Sequence, residues 1–131
     1  NNALGDARLT AQNVDLVVAF GSGVAAYDAS EAAGWKSAMG DRLSQSHAVA
    51  VKGAIGVNGA GSGAIDFATG VLALHHQTVP PSLNAESAGA GAGLRFASKD
   101  PLDARIDAVA SVAYSLVGSQ VAALVVRRYR E

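Results

Sequence analysis

The chain reads FGSGVAAYDASE at residues 20–31, and this stretch decides the fold because it joins an apolar run to the start of a helix. The run before it, residues 14–19, is short and rich in β-branched side chains, which predicts a buried strand. After the glycines we predict a helix over about residues 29–39. Asp28 and Glu31 stand three apart at its start, the spacing of a capping box. The stretch therefore predicts a strand, a tight turn and a helix.

The next part of the chain repeats this order. Gly40 is a suitable end for the first helix. Residues 47–52 alternate small apolar side chains and predict a second strand, and the glycine-rich residues 53–63 follow it. A second helix is expected to start at Ser62 or Gly63. Strands that alternate with helices in this way predict a mostly parallel sheet.

The second helix has a broad apolar surface, which predicts that it is buried between layers. The residues of this surface are Ile65, Ala68, Val71, Leu72 and Leu74 or His75. Pro80 and Pro81 are expected to stop the helix.

The two ends of the chain complete the prediction. Residues 3–11 predict a short helix, residues 85–92 a glycine-rich mobile loop, and residues 94–96 a brief strand. Residues 106–115 and 120–129 predict two strands joined by a turn around Gly118 and Ser119. This tight connection makes the last pair of strands antiparallel.

Composition excludes several classes of protein. The chain has 131 residues, of which 50% are hydrophobic, so a single domain can bury a sizeable core. A net charge of −1 gives no electrostatic argument for nucleic acid. No apolar run approaches the roughly 18 residues of a membrane span, and the first residues do not resemble a signal peptide. With no cysteine present, we expect a cytoplasmic protein.

Three stretches resemble the β-ketoacyl synthases, a family of condensing enzymes. Residues 20–31 are similar to that family's His-Gly-Thr-Gly-Thr motif followed by Asp-x-x-Glu. Residues 52–57, KGAIGV, are similar to its Lys-x-x-x-Gly-His, and residues 80–84, PPSLN, to its Pro-Pro-Thr-x-Asn. A weaker likeness links residues 113–121 to its Asn-Ser-Phe-Gly-Phe-Gly-Gly-x-Asn segment.

The resemblance implies a fold and a domain organisation. It identifies residues 1–131 as a single domain, the C-terminal half of a thiolase-like fold. Its sheet is expected to be five-stranded, mixed and mostly parallel, with helices on its faces. The N-terminal half, which carries the nucleophilic cysteine in this family, has no counterpart here.

The resemblance also shows which reactive groups are missing. Phe20 and Val57 stand where the family has its two catalytic histidines, and neither side chain can donate or exchange a proton. Decarboxylative condensation needs a thiolate and two imidazoles, so we predict no catalytic residue in this chain. The candidates for lining an acyl pocket are Phe20, Lys52, Val57, Asn58 and Gly118. Ser115 and Val117 replace the family's gating phenylalanines.

Other motifs have simpler interpretations. The glycine stretches 21–23 and 59–63 lack the lysine and spacing of phosphate-binding loops, and His75-His76 lack a third metal ligand, so no metal or cofactor is predicted. Lys52 is expected to end a strand and to pair with an acid. Arg127, Arg128 and Arg130 are expected to form a solvated strand end, with an acidic carrier protein as the alternative contact.

Three functions are consistent with a ketosynthase half that has no histidine. We favour a non-catalytic subunit of the chain-length-factor type, which pairs with an active ketosynthase in polyketide or fatty-acid-type biosynthesis and has an acyl carrier protein as a further partner. The alternatives are the C-terminal portion of an acyltransferase that another chain completes, and a scaffolding module. A half-fold of this kind would expose a large apolar surface on its own, so a partner chain is expected.

Overall fold

The computed structural model describes residues 2–85, 93–97, 99–115, 117 and 120–129. Its helices are α1 (Asn2–Asp6), α2 (Ala25–Met39), α3 (Lys52–Ile55) and α4 (Ser62–His76). Its strands are β1 (Leu16–Val18), β2 (His47–Val49), β3 (Thr78–Val79), β4 (Arg95–Phe96), β5 (Leu102–Asp103), β6 (Ala108–Tyr114) and β7 (Val121–Arg127). Short 3-10 turns lie at Ala11–Asn13, Gly40–Ser44 and Gly59–Gly61.

Within the described residues, five strands form one mixed sheet in the order β4-β2-β1-β6-β7. The pairs β1–β2, β1–β6 and β2–β4 are parallel, and β6–β7 is antiparallel. The prediction of a five-stranded, mostly parallel sheet with an antiparallel last pair is thus confirmed. The sequence did not indicate the small antiparallel ladder of β3 and β5.

The central strand β1 is buried on both faces, and a hydrophobic cluster covers each face. On one face Val17 packs with α2 through Trp35 and Met39. On the other face Leu16 and Val18 belong to the cluster that includes Ala73 of α4. A strand that contacts helices on both sides is the reason why the run over residues 16–19 is apolar at successive positions.

The ends of several elements differ from the prediction. Instead of one helix over residues 3–11, α1 ends at Asp6 and a separate 3-10 turn follows. The other elements lie where they were expected but are shorter, except α2, which begins four residues early at Ala25. Gly40, at φ 56°, is the C-cap of α2, as predicted. α4 ends at His76, before Pro80, because Gln77 adopts the left-handed conformation and β3 follows it. Residues 86–92 of the loop predicted over residues 85–92, and the predicted turn at Gly118 and Ser119, lie outside the described residues.

Most of the apolar surface that was predicted to be buried on α4 faces away from the sheet. Its buried residues are small or polar: Ser62, Asp66, Gly70 and Ala73. Ile65, Val71 and Leu72 face outward, with Leu72 56% exposed, whereas Leu74 packs partly buried against the core. Gly70 explains this orientation, since a Cβ placed there would lie only 2.9 Å from Val109 Cγ1, so the helix backbone approaches the sheet closely.

Candidate functional site

Two carboxylates of α2 hold the turn that follows β1. Glu31 accepts backbone N–H bonds from Phe20 (2.7 Å) and Gly21 (3.0 Å), and Asp28 accepts them from Ser22 (2.7 Å) and Gly23 (3.0 Å). Positive φ angles of 55° at Gly21 and 80° at Gly23 allow the chain to fold back over the helix. The turn is therefore held by two side chains of the helix that directly follows it.

The predicted capping box is wrong. Because α2 begins at Ala25, Asp28 and Glu31 lie inside the helix, and no side chain caps Val24 at its N-cap. Both acids bind N–H groups of the preceding turn rather than those of the helix. Their spacing of three residues places them on one face of the helix, beside that turn.

Phe20 is buried between an aromatic ring and an ammonium group. Its side chain is only 4% exposed. The ring centroid lies 4.4 Å from that of Tyr114, with a tilt of 42°, and 3.9 Å from Lys52 Nζ. Stacking and the cation–π contact both favour this position. Phe20 is thus part of the packed interior.

Lys52 forms a buried ion pair with Asp66. The Nζ–Oδ2 distance is 2.5 Å, and both side chains are almost fully excluded from solvent. Asp66 Oδ1 has no hydrogen-bond partner in the described part of the chain. Burial raises the pKa of Asp66, while the hydrogen bond and charge of Lys52 act in the opposite direction. The predicted pairing of Lys52 with an acid is present, but Lys52 begins α3 rather than ending a strand, because β2 stops at Val49.

The Pro-Pro-Ser-Leu-Asn segment packs against the start of α3. Ser82 Oγ accepts a hydrogen bond from the N–H of Ala50 (3.0 Å), and the Ser82 N–H donates to the carbonyl of Ala97 (2.7 Å). A Cβ at Gly53 would lie only 2.4 Å from the Leu83 carbonyl oxygen, so this position requires glycine. Two of the three motifs therefore meet directly, although they are about 30 residues apart.

The remaining site candidates are more exposed. Val57 is 46% exposed and lines a cleft beside Lys52. Asn58 lies on the surface, where its amide donates to the carbonyls of Ile55 and Gly56 and its backbone N–H donates to Ser62 Oγ (2.8 Å). Asn58 thus shapes the turn before α4. Gly118 lies outside the described residues.

Electrostatics around the turn disfavour proton transfer by Tyr114. Burial raises the pKa of its hydroxyl to about 12, and the nearby Glu31 carboxylate acts in the same direction. Burial also raises the pKa of Glu31, although the N–H bonds from Gly21 and Phe20 lower it in part. Tyr114 Oη donates to Glu31 Oε2 at 3.5 Å, a long contact. A phenol with such a pKa is a weak acid at neutral pH.

Two clefts adjoin this site. The larger, of about 1030 Å³, has Lys52 and Val57 among its lining residues. The smaller, of about 480 Å³, lies between α2 and the β6–β7 pair and has Tyr114 in its wall. Glu31 lines both clefts.

Sequence reasoning missed two residues of the site. Asp66 is the only charged residue between Ser62 and Leu74, and a lone acid in an apolar helix could have been identified as the partner of Lys52. Nothing in the sequence around Tyr114 indicates that it belongs to the site. It lies beside Phe20 only because of the register between β6 and β1.

The basic end of β7 is remote from the site. Arg127 lies opposite Ala108, whereas Tyr114 lies opposite Val121, at the other end of the same pair of strands. Six residues of strand separate these ends, which corresponds to about 20 Å. Arg128 follows at the same far end, and Arg130 lies outside the described residues.

Neither a metal centre nor a membrane span is found in the described part of the chain. It contains no group of three or more potential metal ligands, and His75 and His76 contact only each other as rings, with centroids 4.8 Å apart. None of its helices is both long enough and apolar enough to cross a membrane.

Comparison with known proteins agrees with this architecture. The solved structure of the ishigamide ketosynthase/chain length factor superimposes with a TM-score of 0.86 at 24% identity, covering 97% of this chain and 31% of that one. The chain therefore shares the fold of the part of that structure that it matches.

Sequence comparison then defines the family. The model of the β-ketoacyl synthase C-terminal domain matches residues 1–86. The chain belongs to this family. It is 33% identical over 127 residues to the tetracenomycin polyketide synthase ketoacyl synthase beta subunit of Streptomyces glaucescens, covering 97% of this chain and 30% of that protein. It is 30% identical over 125 residues to the alpha subunit of the same synthase, covering 95% of this chain and 29% of that protein.

These relatives are longer proteins. The chain spans less than a third of the length of the curated relatives that it matches. Its identity to the alpha and beta subunits is nearly equal, so overall similarity does not distinguish between them.

Proposed function

We propose that this protein is a non-catalytic ketosynthase subunit of the chain-length-factor type. It pairs with an active ketosynthase in polyketide or fatty-acid-type biosynthesis, and residues 1–131 act as one domain of that assembly. The observation that carries this proposal is the burial of Phe20 between Lys52 and Tyr114. An apolar ring packed at the position of a catalytic histidine favours a structural role there.

The chemistry of the surrounding groups supports the proposal. The chain has no cysteine to carry an acyl group. Lys52 is engaged by Asp66, and the raised pKa of Tyr114 makes its hydroxyl a poor proton donor. Condensation therefore requires a partner that supplies the nucleophile and the imidazoles.

The outward face of α4 supports a partner of this kind. Ile65, Val71 and Leu72 are exposed on one helix. An exposed apolar patch on a helix that already packs on a sheet is typical of an interaction surface. We propose that this face contacts the ketosynthase or the N-terminal half of the fold.

An acyl carrier protein is the further partner that we propose. The basic end of β7 lies about 20 Å along the strand from the level of Tyr114. A carrier bound at that end would be far from Tyr114 and Phe20, so we expect it to dock at the end of the sheet where Phe20 lies.

The experiment that tests the pairing is native mass spectrometry of the protein purified from its source. We expect it to co-purify with a chain that carries the nucleophilic cysteine of a condensing enzyme. Leu72→Glu, on the exposed face of α4, is expected to weaken this association. Leu102→Glu is the matched control, because Leu102 is also exposed but lies on the separate β3–β5 ladder. A stable monomer of 13.1 kDa would contradict the proposal.

A second candidate function is favoured by the coverage of the relatives, of which this chain matches about 30%. In that case the chain is the C-terminal portion of an acyltransferase completed by other residues. The double substitution Phe20→His with Val57→His distinguishes the two candidates in the purified assembly. A gain of condensation activity would favour the second candidate, and an unchanged activity would favour the first.

A further inference from the structure

β7 is the last strand of the five-stranded sheet and pairs on one side only, with β6. Hydrogen bonds at the two ends of this pair show which backbone groups face β6. The Ser115 N–H donates to the carbonyl of Gln120, and the Arg128 N–H donates to that of Asp107, each at 2.8 Å. Hydrogen-bonded and non-hydrogen-bonded pairs alternate along an antiparallel ladder. The residues of β7 that bond to β6 are therefore Ala122, Leu124 and Val126. Those whose N–H and C=O groups point to the open edge are Val121, Ala123, Val125 and Arg127.

This open edge of β7 is long, apolar and unpaired. Within the part of the chain that the structure describes, none of its four outward-pointing residues has a backbone hydrogen bond. Val121 is 69% exposed and Leu124 50% exposed, and residues 121–126 contain no proline, glycine or charged residue. The strand at the other edge of the sheet, β4, has only two residues. An apolar edge strand of seven residues is a ready template for pairing with another strand.

The sequence of β7 is complementary to a second copy of itself. Leu124 is its middle residue, so a two-fold axis at Leu124 pairs all seven residues of two antiparallel copies. Each Val121 then lies opposite Arg127 of the other copy, and each Ala123 opposite Val125. All four outward-pointing residues are hydrogen-bonded in this register. The two Leu124 side chains lie opposite each other and bury apolar surface.

Charge favours the same register. Arg127 and Arg128 stand at one end of the strand, so antiparallel copies centred on Leu124 carry them to opposite ends of the new ladder. Arg127 then faces valine. A register centred on Arg127 would place two arginines directly opposite each other, and like charges in such a pair destabilise a sheet.

We propose that the open edge of β7 binds a second copy of this chain, strand to strand, and joins two five-stranded sheets into one continuous sheet. This association goes beyond the proposed function, whose pairing uses the outward face of α4. The two associations use different surfaces, so different substitutions disrupt them.

The first test is the mass of the purified chain in sedimentation velocity. We expect twice the 13.1 kDa of one chain. Leu124→Glu and Leu124→Lys, each alone, should lose the dimer at concentrations at which the wild type is dimeric, because like charges then meet at the axis. An equimolar mixture of the two variants should regain a dimer with one chain of each kind. This recovery also shows that both variants fold.

The second test examines the backbone. Ala123→Pro removes one outward-pointing N–H and leaves the bonds to β6 in place, so it should abolish the dimer without unfolding the chain. Amide hydrogen exchange reads the pattern directly. In the wild type all of Val121–Arg127 should be protected, whereas in Leu124→Glu protection should be lost at alternate residues, those that point to the open edge.

Leu72→Glu is the matched control, because Leu72 is as exposed as Leu124 but lies on α4. This variant should remain a dimer. The inference is overturned by a monomeric wild-type chain, by a dimer that persists in the three β7 variants, by a mixture of Leu124→Glu and Leu124→Lys that stays monomeric, or by loss of the dimer in Leu72→Glu.

These outcomes are separate from those of the proposed function. A chain that is monomeric when pure but binds a ketosynthase through α4 would overturn the β7 pairing and support the proposed function. A dimer of this chain that co-purifies with no condensing enzyme would do the reverse. Binding of a strand from a different protein at β7, in place of a second copy, would also overturn the inference.

Discussion

The ring of Tyr114 stacks on the ring of Phe20, with centroids 4.4 Å apart. Tyr114 ends β6, Phe20 follows β1, and these two strands are parallel neighbours. An aromatic pair at this distance contributes about 0.5–1.5 kcal/mol beyond the area that it buries. The pair therefore couples the two strands at the level of the site.

The first prediction concerns this coupling. Phe20→Leu and Tyr114→Leu, alone and together, should show an interaction free energy of about 0.5–1.5 kcal/mol in urea unfolding. Once either ring has been replaced, the stacking energy is already lost, so the second substitution costs less than it does in the wild-type protein. Effects of the two substitutions that simply add would contradict the stacking.

The second prediction concerns the buried ion pair. Lys52→Met should lower the free energy of unfolding by about 3–5 kcal/mol at neutral pH, because it leaves the Asp66 carboxylate buried without its cation. Adding Asp66→Leu should regain most of that loss, since no charge then remains in the interior. Lys36→Met, at an exposed position on α2, should change stability by less than about 0.5 kcal/mol. If Lys52→Met and the double variant lose the same free energy of unfolding, the unpaired Asp66 charge is not the cause of the destabilisation.

The third prediction concerns pH. Burial raises the pKa of Asp66 above its ordinary value of 3.8, so the folded protein keeps this proton to higher pH than the unfolded chain does. The contribution of Asp66 to stability is therefore fully present below the ordinary pKa and is lost as pH rises through the raised one. The stability difference between wild type and Asp66→Asn should shrink as pH rises through this window. A difference that grows with pH would mean that Lys52 outweighs burial and that the folded pKa is lowered.

The fourth prediction compares two glycines in long helices. Gly70→Ala should destabilise the protein by about 1–3 kcal/mol, because the added Cβ would lie 2.9 Å from Val109 Cγ1 and 3.1 Å from Val18 Cγ2. Gly34→Ala, in α2, meets no atom within 4 Å and should stabilise the protein by up to about 1 kcal/mol. Thermal unfolding of both variants measures the contrast. If Gly70→Ala leaves the stability unchanged, α4 can move away from the sheet at little cost in free energy.

The order and type of the larger elements could be predicted from the sequence because each has its own period and its own end signals. The short β-branched run of β1 and the turn chemistry around Gly40 are examples. The exact ends could not be predicted in the same way. Lys52 follows residues that alternate like a strand, so the sequence did not indicate that the helical turn α3 begins there.

The orientation of α4 illustrates a second limit. Periodicity identifies an apolar helix, but here it misleads about which side faces the sheet, because the buried side carries the charged residue Asp66. Here close approach at Gly70 determines the choice, and Leu72 faces outward as a result. The contact between Tyr114 and Phe20 could not be predicted from the sequence either. It depends on the register of two strands that are more than ninety residues apart in the chain.

The turn at residues 20–23 has a consequence for ligand binding. Four successive backbone N–H groups point at two carboxylates of the same chain, so this concave array of donors already holds its own anion. A phosphate that approached the turn would have to displace Asp28 or Glu31 and would meet their negative charge. Any phosphate group that reaches this turn must therefore be held by groups other than its backbone N–H donors.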